Sequence, residues 1–349
     1  YEIPLRLVGS EMCIRDRATG KAVVEAGKYM KDLGASFDDA ADAIRIGTGA
    51  TGDALDGLLD DFDAVYKSVP TTMEDASKAI ADYNTRLGLT GPQLQEISKQ
   101  AIQVSDMLGD DLGSVIKESS QAFQQWNIDA DDMGGAMDYI FKVSQSTGMG
   151  FTDLMADMQK FGPQLQEMGY SFETASALMG QLDKAGVNTD EVLGAMKKSV
   201  ATLAKEGISA SDGLAMYYEK IKNAGTAAEA ASIASEIFGT RAGSTMAAAI
   251  RDGSLAVADL TAELQENGET IAGAADDTYD FAERLQVMKQ GLEVALKPMA
   301  NTVFDGLNKF MPTLQKLMEQ ITPAISKAVE AAAPFVDELS LIHISEPTR

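Results

Sequence analysis

The stretch Phe151–Asn188 reads FTDLMADMQKFGPQLQEMGYSFETASALMGQLDKAGVN. Phe151, Leu154, Met155, Met158, Phe161, Leu165 and Met168 step by three and four residues, which places them on one apolar stripe of a helix. Gly169 ends that helix, because glycine tolerates the left-handed conformation of a helix stop. A second helix runs from there to Gly186, and Asn188-x-x-Glu191 opens a third with a capping pair.

The same grammar extends in both directions. Leu94, Ile97, Ala101, Val104 and Leu108 form one stripe, and Leu193, Met196, Val200 and Leu203 another. Thr71-x-x-Glu74, Thr90-x-x-Gln93, Ser209-x-x-Asp212 and Thr226-x-x-Glu229 mark further helix starts. Gly88, Gly109, Gly148, Gly207, Gly225 and Gly253 mark further stops, mostly about twenty residues apart. Strand-like alternation is hard to find. The expected fold is all-α: short-to-medium helices with glycine-terminated turns from about Phe37 to Gly253, followed by a proline-punctuated amphipathic segment.

That last segment has its own period. Leu285, Leu296, Leu307, Met318 and Val329 are spaced by eleven, as are Met288, Met299, Phe310 and Ile321, and Phe281, Leu292, Val303, Leu314, Ile325 and Val336. An eleven-residue repeat corresponds to about 3.67 residues per turn and a straight or slightly right-handed coil. Pro312, Pro323 and Pro334 share the spacing. Interior proline costs a helix about 3 kcal/mol. The expectation is therefore a series of short pieces kinked or broken at each proline.

Composition excludes several function classes. The 349 residues hold 29 Lys and Arg against 53 Asp and Glu, a net charge of −24. That opposes general binding to nucleic-acid backbones or to anionic membranes. Asp38, Asp39, Asp42, Asp53, Asp56, Asp60, Asp61 and Asp63 crowd one region with only Arg45 opposing, and read as a solvated helix face or a docking surface for a basic partner. One Cys and one His exclude an internal disulfide and a four-ligand zinc site. No apolar run approaches a membrane span.

Both ends resemble translated sequencing adapter. GAG-ATG-TGT-ATA-AGA-GAC encodes Glu11 to Asp16, and the reverse complement of the same element encodes Leu339 to Ser345. Residues 1–17 and 339–349 are thus expected to be adapter-derived, with Cys13 and His343 inside them. Between them lie an acidic helical segment at 18–62, a core helical domain at 63–255 and the repeat segment at 256–338. Trimming the ends leaves the charge at −24 and removes every Cys and His, and with them His-dependent triads and thiol nucleophiles. No GxxxxGK[ST] loop occurs. Asn127–Asp138, NIDADDMGGAMD, departs from a calcium loop at Asp132, where a glycine should turn, and at Asp138, where a bidentate Glu should sit. The pair Asp276 and Asp277 reads as surface. Trp126 with Met155, Met158 and Met168 reads as core packing or as an adaptable groove.

AFQQWNIDADDMGGAMDYIFKVSQSTGMGFTDLMADMQKFGPQLQEMGYSFETASALMGQLDKAGVN, followed by SEIFGTRAGSTMAAAIRDG, resembles the core region of phage tail tape measure proteins. The matching elements are Gly162-Pro163, the helix start Gly169-Tyr170-Ser171, and Phe238-Gly239 with Arg241 and Gly243, over roughly 190 residues. The resemblance implies a non-enzymatic structural protein of the virion, without cofactor or metal. It implies a chain that sets tail length as a template for tube assembly and leaves during genome ejection. The implied location is the tail lumen, and the host cytoplasm during assembly. The implied partners are the tail tube protein, tail assembly chaperones, baseplate or tip proteins and further copies of itself. Nucleic acid is not among them, and membrane contact arises only during ejection. Two other classes remain open. One is a helical surface or signalling protein such as an adhesin stalk or a chemoreceptor-like bundle. The other is a carboxylate-based muralytic module.

Overall fold

A computed structural model describes the backbone of residues 8–253 and 255–342, and side chains within 24–313 and at Lys316, apart from those of Ala210, Ser211, Ser254 and Ala258. The adapter-like residues 1–7 and 343–349 lie outside the described residues. So do the side chains of 8–23, of Leu314 and of the later repeat residues, including Met318, Pro323, Val329 and Pro334.

The described residues contain helices and no strand. In order these are α1 (Val8–Thr48), α2 (Asp53–Tyr66), α3 (Met73–Leu87), α4 (Gly91–Leu108), α5 (Leu112–Trp126), α6 (Met133–Thr147), α7 (Phe151–Glu167), α8 (Phe172–Lys184), α9 (Thr189–Lys205), α10 (Ala210–Lys222), α11 (Ala227–Phe238), α12 (Gly243–Asp252), α13 (Val257–Glu266), α14 (Ile271–Thr278) and α15 (Phe281–Ile342). The all-α reading holds. Contacts divide the chain into two compact units, residues 40–294 and residues 1–39 with 295–349.

In the unit 40–294, neighbouring helices pair, and each hairpin stacks on the next. The even helices α2, α4, α6 and α8 form one packed row, and α3, α5 and α7 form another. The stacking has a period visible in side-chain bonds. Thr85 Oγ1 donates to the Gly47 carbonyl, Gln93 Nε2 to Asp131, Gln124 Nε2 to the Arg86 carbonyl and Lys184 Nζ to the Ser146 carbonyl, each across 38 residues. Two helix-and-turn steps of about twenty residues make one such period, so the stretch from α2 to α8 is built from repeated hairpins that cover one another's apolar faces.

The turns repeat too. At Gly88, Gly109 and Gly148 (φ 70°, 72° and 85°) the glycine N–H closes the helix on the carbonyl four residues back. The side chain of that same residue, Asn84, Ser105 or Ser144, donates to the carbonyl just past the glycine at 2.9, 2.6 and 2.6 Å. A side chain with a Cβ would be strained there. Asn127 (φ 52°) takes the glycine's place at the end of α5. Gly225 ends no helix, since α10 is closed by Asn223.

Helix starts agree with the sequence at Asn188, Ser209 and Thr226, whose side chains accept from the N–H three residues on. Two differ. The first cap falls on Thr72, which accepts from Asp75 N–H at 3.0 Å, while the Thr71 carbonyl accepts from Gln286 and Gln290. Thr90 makes no side-chain cap bond. Asp61 serves α4 instead, accepting from Gly91 N–H at 2.8 Å and from Gln95 Nε2 at 2.7 Å. Asp61 is therefore buried and no part of a solvated acidic face, whereas Asp38, Asp39, Asp42, Asp53, Asp56 and Asp60 are exposed.

The expected breaks at proline do not occur. α15 runs as one helix of 62 residues through Pro298, Pro312, Pro323 and Pro334. Each proline removes one N–H, but the long intervals of Leu, Met, Ala, Lys and Gln between them favour helix strongly enough to carry it across.

In the unit 1–39 with 295–349, α1 and α15 approach at Gly34, where an added Cβ would lie 2.7 Å from both the Ala300 carbonyl oxygen and the Phe304 Cβ. Leu33, Phe37 and Ala300 are buried at this crossing, and Lys297 Nζ sits 5.1 Å from the Phe37 ring centre.

Candidate functional site

Gly162 lies inside α7 where α5 crosses it. A Cβ at Gly162 would meet Trp126 Nε1 and Gln125 Cγ at 2.9 Å. The glycine lets the Trp126 indole lie against the helix and donate to the Met158 carbonyl at 2.8 Å. The same indole stands edge-on to Phe172, with ring centres 5.8 Å apart. Pro163 follows on the exposed face and leaves the Gln159 carbonyl without its helical donor. Met155, Met158 and Met168 are buried.

Gly169-Tyr170-Ser171 turns α7 into α8. The Tyr170 N–H reaches back to the Leu165 carbonyl at 3.1 Å and the Gly169 N–H to the Gln166 carbonyl at 2.9 Å, the paired bonds of a Schellman stop. Ser171 Oγ accepts from Thr174 N–H and starts α8. This turn points Tyr170 into a cleft of about 770 Å³. Burial pushes the Tyr170 phenol well above its ordinary value. Met168, Leu178, Met196, Leu214, Tyr218, Phe238, Leu255 and Val257 complete apolar walls from α8, α9, α10, α11 and the start of α13. Glu219, Lys222 and Asp259 also line it. Lys222 Nζ lies 5.8 Å from the Tyr218 ring centre, and burial, then Asp259 and Glu219, raise the Tyr218 hydroxyl.

Phe238 closes α11 and faces this cleft, and also borders a neighbouring groove with Gly239, Arg241, Asp190, Glu191 and Lys198. Gly239 adopts φ 84° and ψ 159°, a conformation open almost only to glycine. Arg241 reaches Glu191 at 2.6 Å in the open, a pair of small energetic weight. Gly243 starts α12 against Ser235 of α11, with no room for a Cβ.

The structure thus brings Gly169, Tyr170, Ser171 and Phe238 to one cleft, with Gly239 and Arg241 on the adjoining groove. Gly162 and Gly243 pack helices elsewhere, and Pro163 lies exposed on α7. Of the repeat stripe, Leu285 and Leu307 are exposed, Leu296 is half-buried and Pro312 is exposed. Leu178, Leu214, Tyr218, Leu255 and Val257 were not singled out by sequence. Their apolar spacing is the spacing of any core position. The calcium-like stretch has other duties: Asn127 caps α5, Ala130–Asp132 form a 3-10 turn, and Asp138 accepts from Ile271 N–H at 2.9 Å. Asp276 and Asp277 are exposed. The cleft offers apolar surface and ring hydroxyls with charge beside them, which suits holding a partner's side chains.

Residues 59–239, the hairpin array with the Gly162, Tyr170 and Phe238 elements, match the family described as phage-related minor tail protein. The chain belongs to that family. It is therefore a structural component of a phage tail, placed in the virion among other tail proteins. Searches of curated proteins and of solved structures gave no match to this tail protein. Among its described residues no helix is long and apolar enough to cross a membrane.

Proposed function

We propose that this minor tail protein is a tail tape measure. It templates the stacking of tail tube protein, occupies the tube lumen and leaves during genome ejection. Its partners on this reading are the tube protein, the assembly chaperones, baseplate or tip proteins, and other copies of itself. The observation that carries the reading is the joining of the family's hairpin array to α15, an unbroken helix of 62 residues. At 1.5 Å per residue that helix spans about 93 Å, so length along the chain converts directly into distance. The cleft bordered by Tyr170 and Phe238 is the proposed seat for a tail partner. Removing the gene from its phage and supplying it in trans tests the role. Tails of one defined length should return only with the gene. Normal tails without it would overturn the reading.

A further inference from the structure

The start of α15 lies on the hairpin array with its polar side inward. Between residues 281 and 294 the two buried residues are Gln290 and Glu293. Phe281, Leu285, Met288 and Leu292 are 81%, 46%, 66% and 58% exposed, and Val287 and Val294 are half-buried. At 3.6 residues per turn the exposed apolar residues share one side of the helix, and Gln286, Gln290 and Glu293 share the other. Polar bonds hold it there. The Thr71 carbonyl accepts from Gln286 Nε2 at 3.0 Å and from Gln290 Nε2 at 2.9 Å, and the Tyr66 hydroxyl donates to Glu293 at 2.7 Å. Gln290 Oε1 is buried with no hydrogen-bond partner, a cost that offsets one such bond. Charge also works against the contact. A cavity of about 650 Å³ is lined by Glu283 of α15 and by Asp75, Asp106, Asp110 and Asp111 of the array, with no basic residue among its lining. Lys78 near Asp111 pairs with Asp82, Arg284 donates to the Asp276 and Tyr279 carbonyls, and Lys289 pairs with Glu293. Glu283 therefore faces like charge, and it adds to the burial that raises Asp106.

We propose that residues 281–294 are a charge-sprung latch: this part of α15 swings off the array as an intact helix, and repulsion at Glu283 sets how often it does so. The hinge is Tyr279-Asp280. Upstream the chain is anchored, since Ile271 and Ala275 are fully buried and the Tyr279 hydroxyl accepts from Gln103 Nε2 of α4 at 3.2 Å. Tyr279 then leaves the helical conformation, with ψ 120°. Downstream, α15 caps its own N-terminus. Asp280 Oδ1 accepts from the Ala282 and Glu283 N–H groups at 2.7 and 3.0 Å, and Glu283 accepts from the Asp280 N–H at 2.6 Å. That reciprocal cap uses no group of the array, so release leaves the first turn of the helix closed. Release also returns Gln290 and Glu293 to water. A helix docked by its apolar side would have to wet that side on leaving. Here detachment gives up hydrogen bonds that water replaces, and little apolar burial.

The latch does not rest on the tape measure reading, and every residue in it belongs to the unit 40–294. Spin labels at Lys67→Cys, just past α2, and at Leu292→Cys, both exposed positions, report the separation in the full chain carrying Cys13→Ser. Pulsed electron spin resonance should show a short distance for the latched helix and a long one for the released helix. Salt shortens the Debye length from about 10 Å at 0.1 M to about 3 Å at 1 M, so the long fraction should shrink as salt rises. Glu283→Gln keeps the capping bond and removes the charge, and should cut the long fraction about threefold at low salt. Tyr66→Phe removes the donor to Glu293 and should enlarge it. Glu266→Gln, at an exposed acid of α13, should leave it unchanged. Circular dichroism should show the same helix content at every salt concentration. A single short distance under all conditions would overturn the proposal. So would a long fraction that ignores Glu283→Gln, falls equally with Glu266→Gln or fails to grow in Tyr66→Phe, and so would helix lost on release. The ruler role is read from tail lengths, so either idea can fail without the other.

Discussion

Asp138 shows how one carboxylate ties three helices. It lies in α6, accepts from the Ile271 N–H that opens α14 and from Gln100 Nε2 of α4, and is half-buried. Burial raises its pKa, opposed by the Ile271 bond, by the nearby Lys142 charge and by the Gln100 bond. A carboxylate raised in the folded state adds stability below its unfolded value, and that contribution is lost as pH climbs through the folded value. Asp106 and Asp157 are raised by burial in the same direction. Asp138→Asn keeps an acceptor for Ile271 and removes the charge. It should melt at or above the parent temperature at pH 7, with the gap closing as pH falls toward 4. A variant less stable than the parent by more than about 1 kcal/mol at pH 7 would show that the charge itself is needed. Sequence could name Asp138 only as the wrong residue for a calcium loop. It placed Asp61 in an acidic run, because burial depends on which helix N-terminus folds over a side chain, and no spacing along the chain records that.

At the scale of elements, the array between α2 and α12 was legible because apolar stripes and glycine stops recur along it, with capping side chains at Asn188, Ser209 and Thr226 where the sequence puts them. The 38-residue stacking was hidden behind it, since Asn127 replaces a glycine and breaks the visible rhythm of stops. The cleft was legible only in part. Tyr170 and Phe238 belong to recognisable elements, but the residues that complete the walls look like ordinary core. α15 was misread because propensity was weighed locally. Each proline costs about 3 kcal/mol, yet a helix already formed on both sides propagates cooperatively and the break costs more. Pro312, exposed within α15, therefore represents a retained penalty. Pro312→Ala should raise helix content and delay the melting of α15, seen by circular dichroism at 222 nm. Unchanged or reduced helicity would mean that the proline is not straining a continuous helix.

At the scale of the molecule, the two units differ in charge, −22 for residues 40–294 and −2 for residues 1–39 with 295–349. On the proposed tape measure role, residues in α15 are converted into tail length. An in-frame deletion of residues 285–317, three eleven-residue periods, keeps the register of the apolar stripe. At 1.5 Å per residue it removes about 50 Å of helix. Tail lengths of phage carrying this deletion, measured by electron microscopy, should be shorter by about that amount with an undiminished sharpness of distribution. Tails of parental length would contradict the claim.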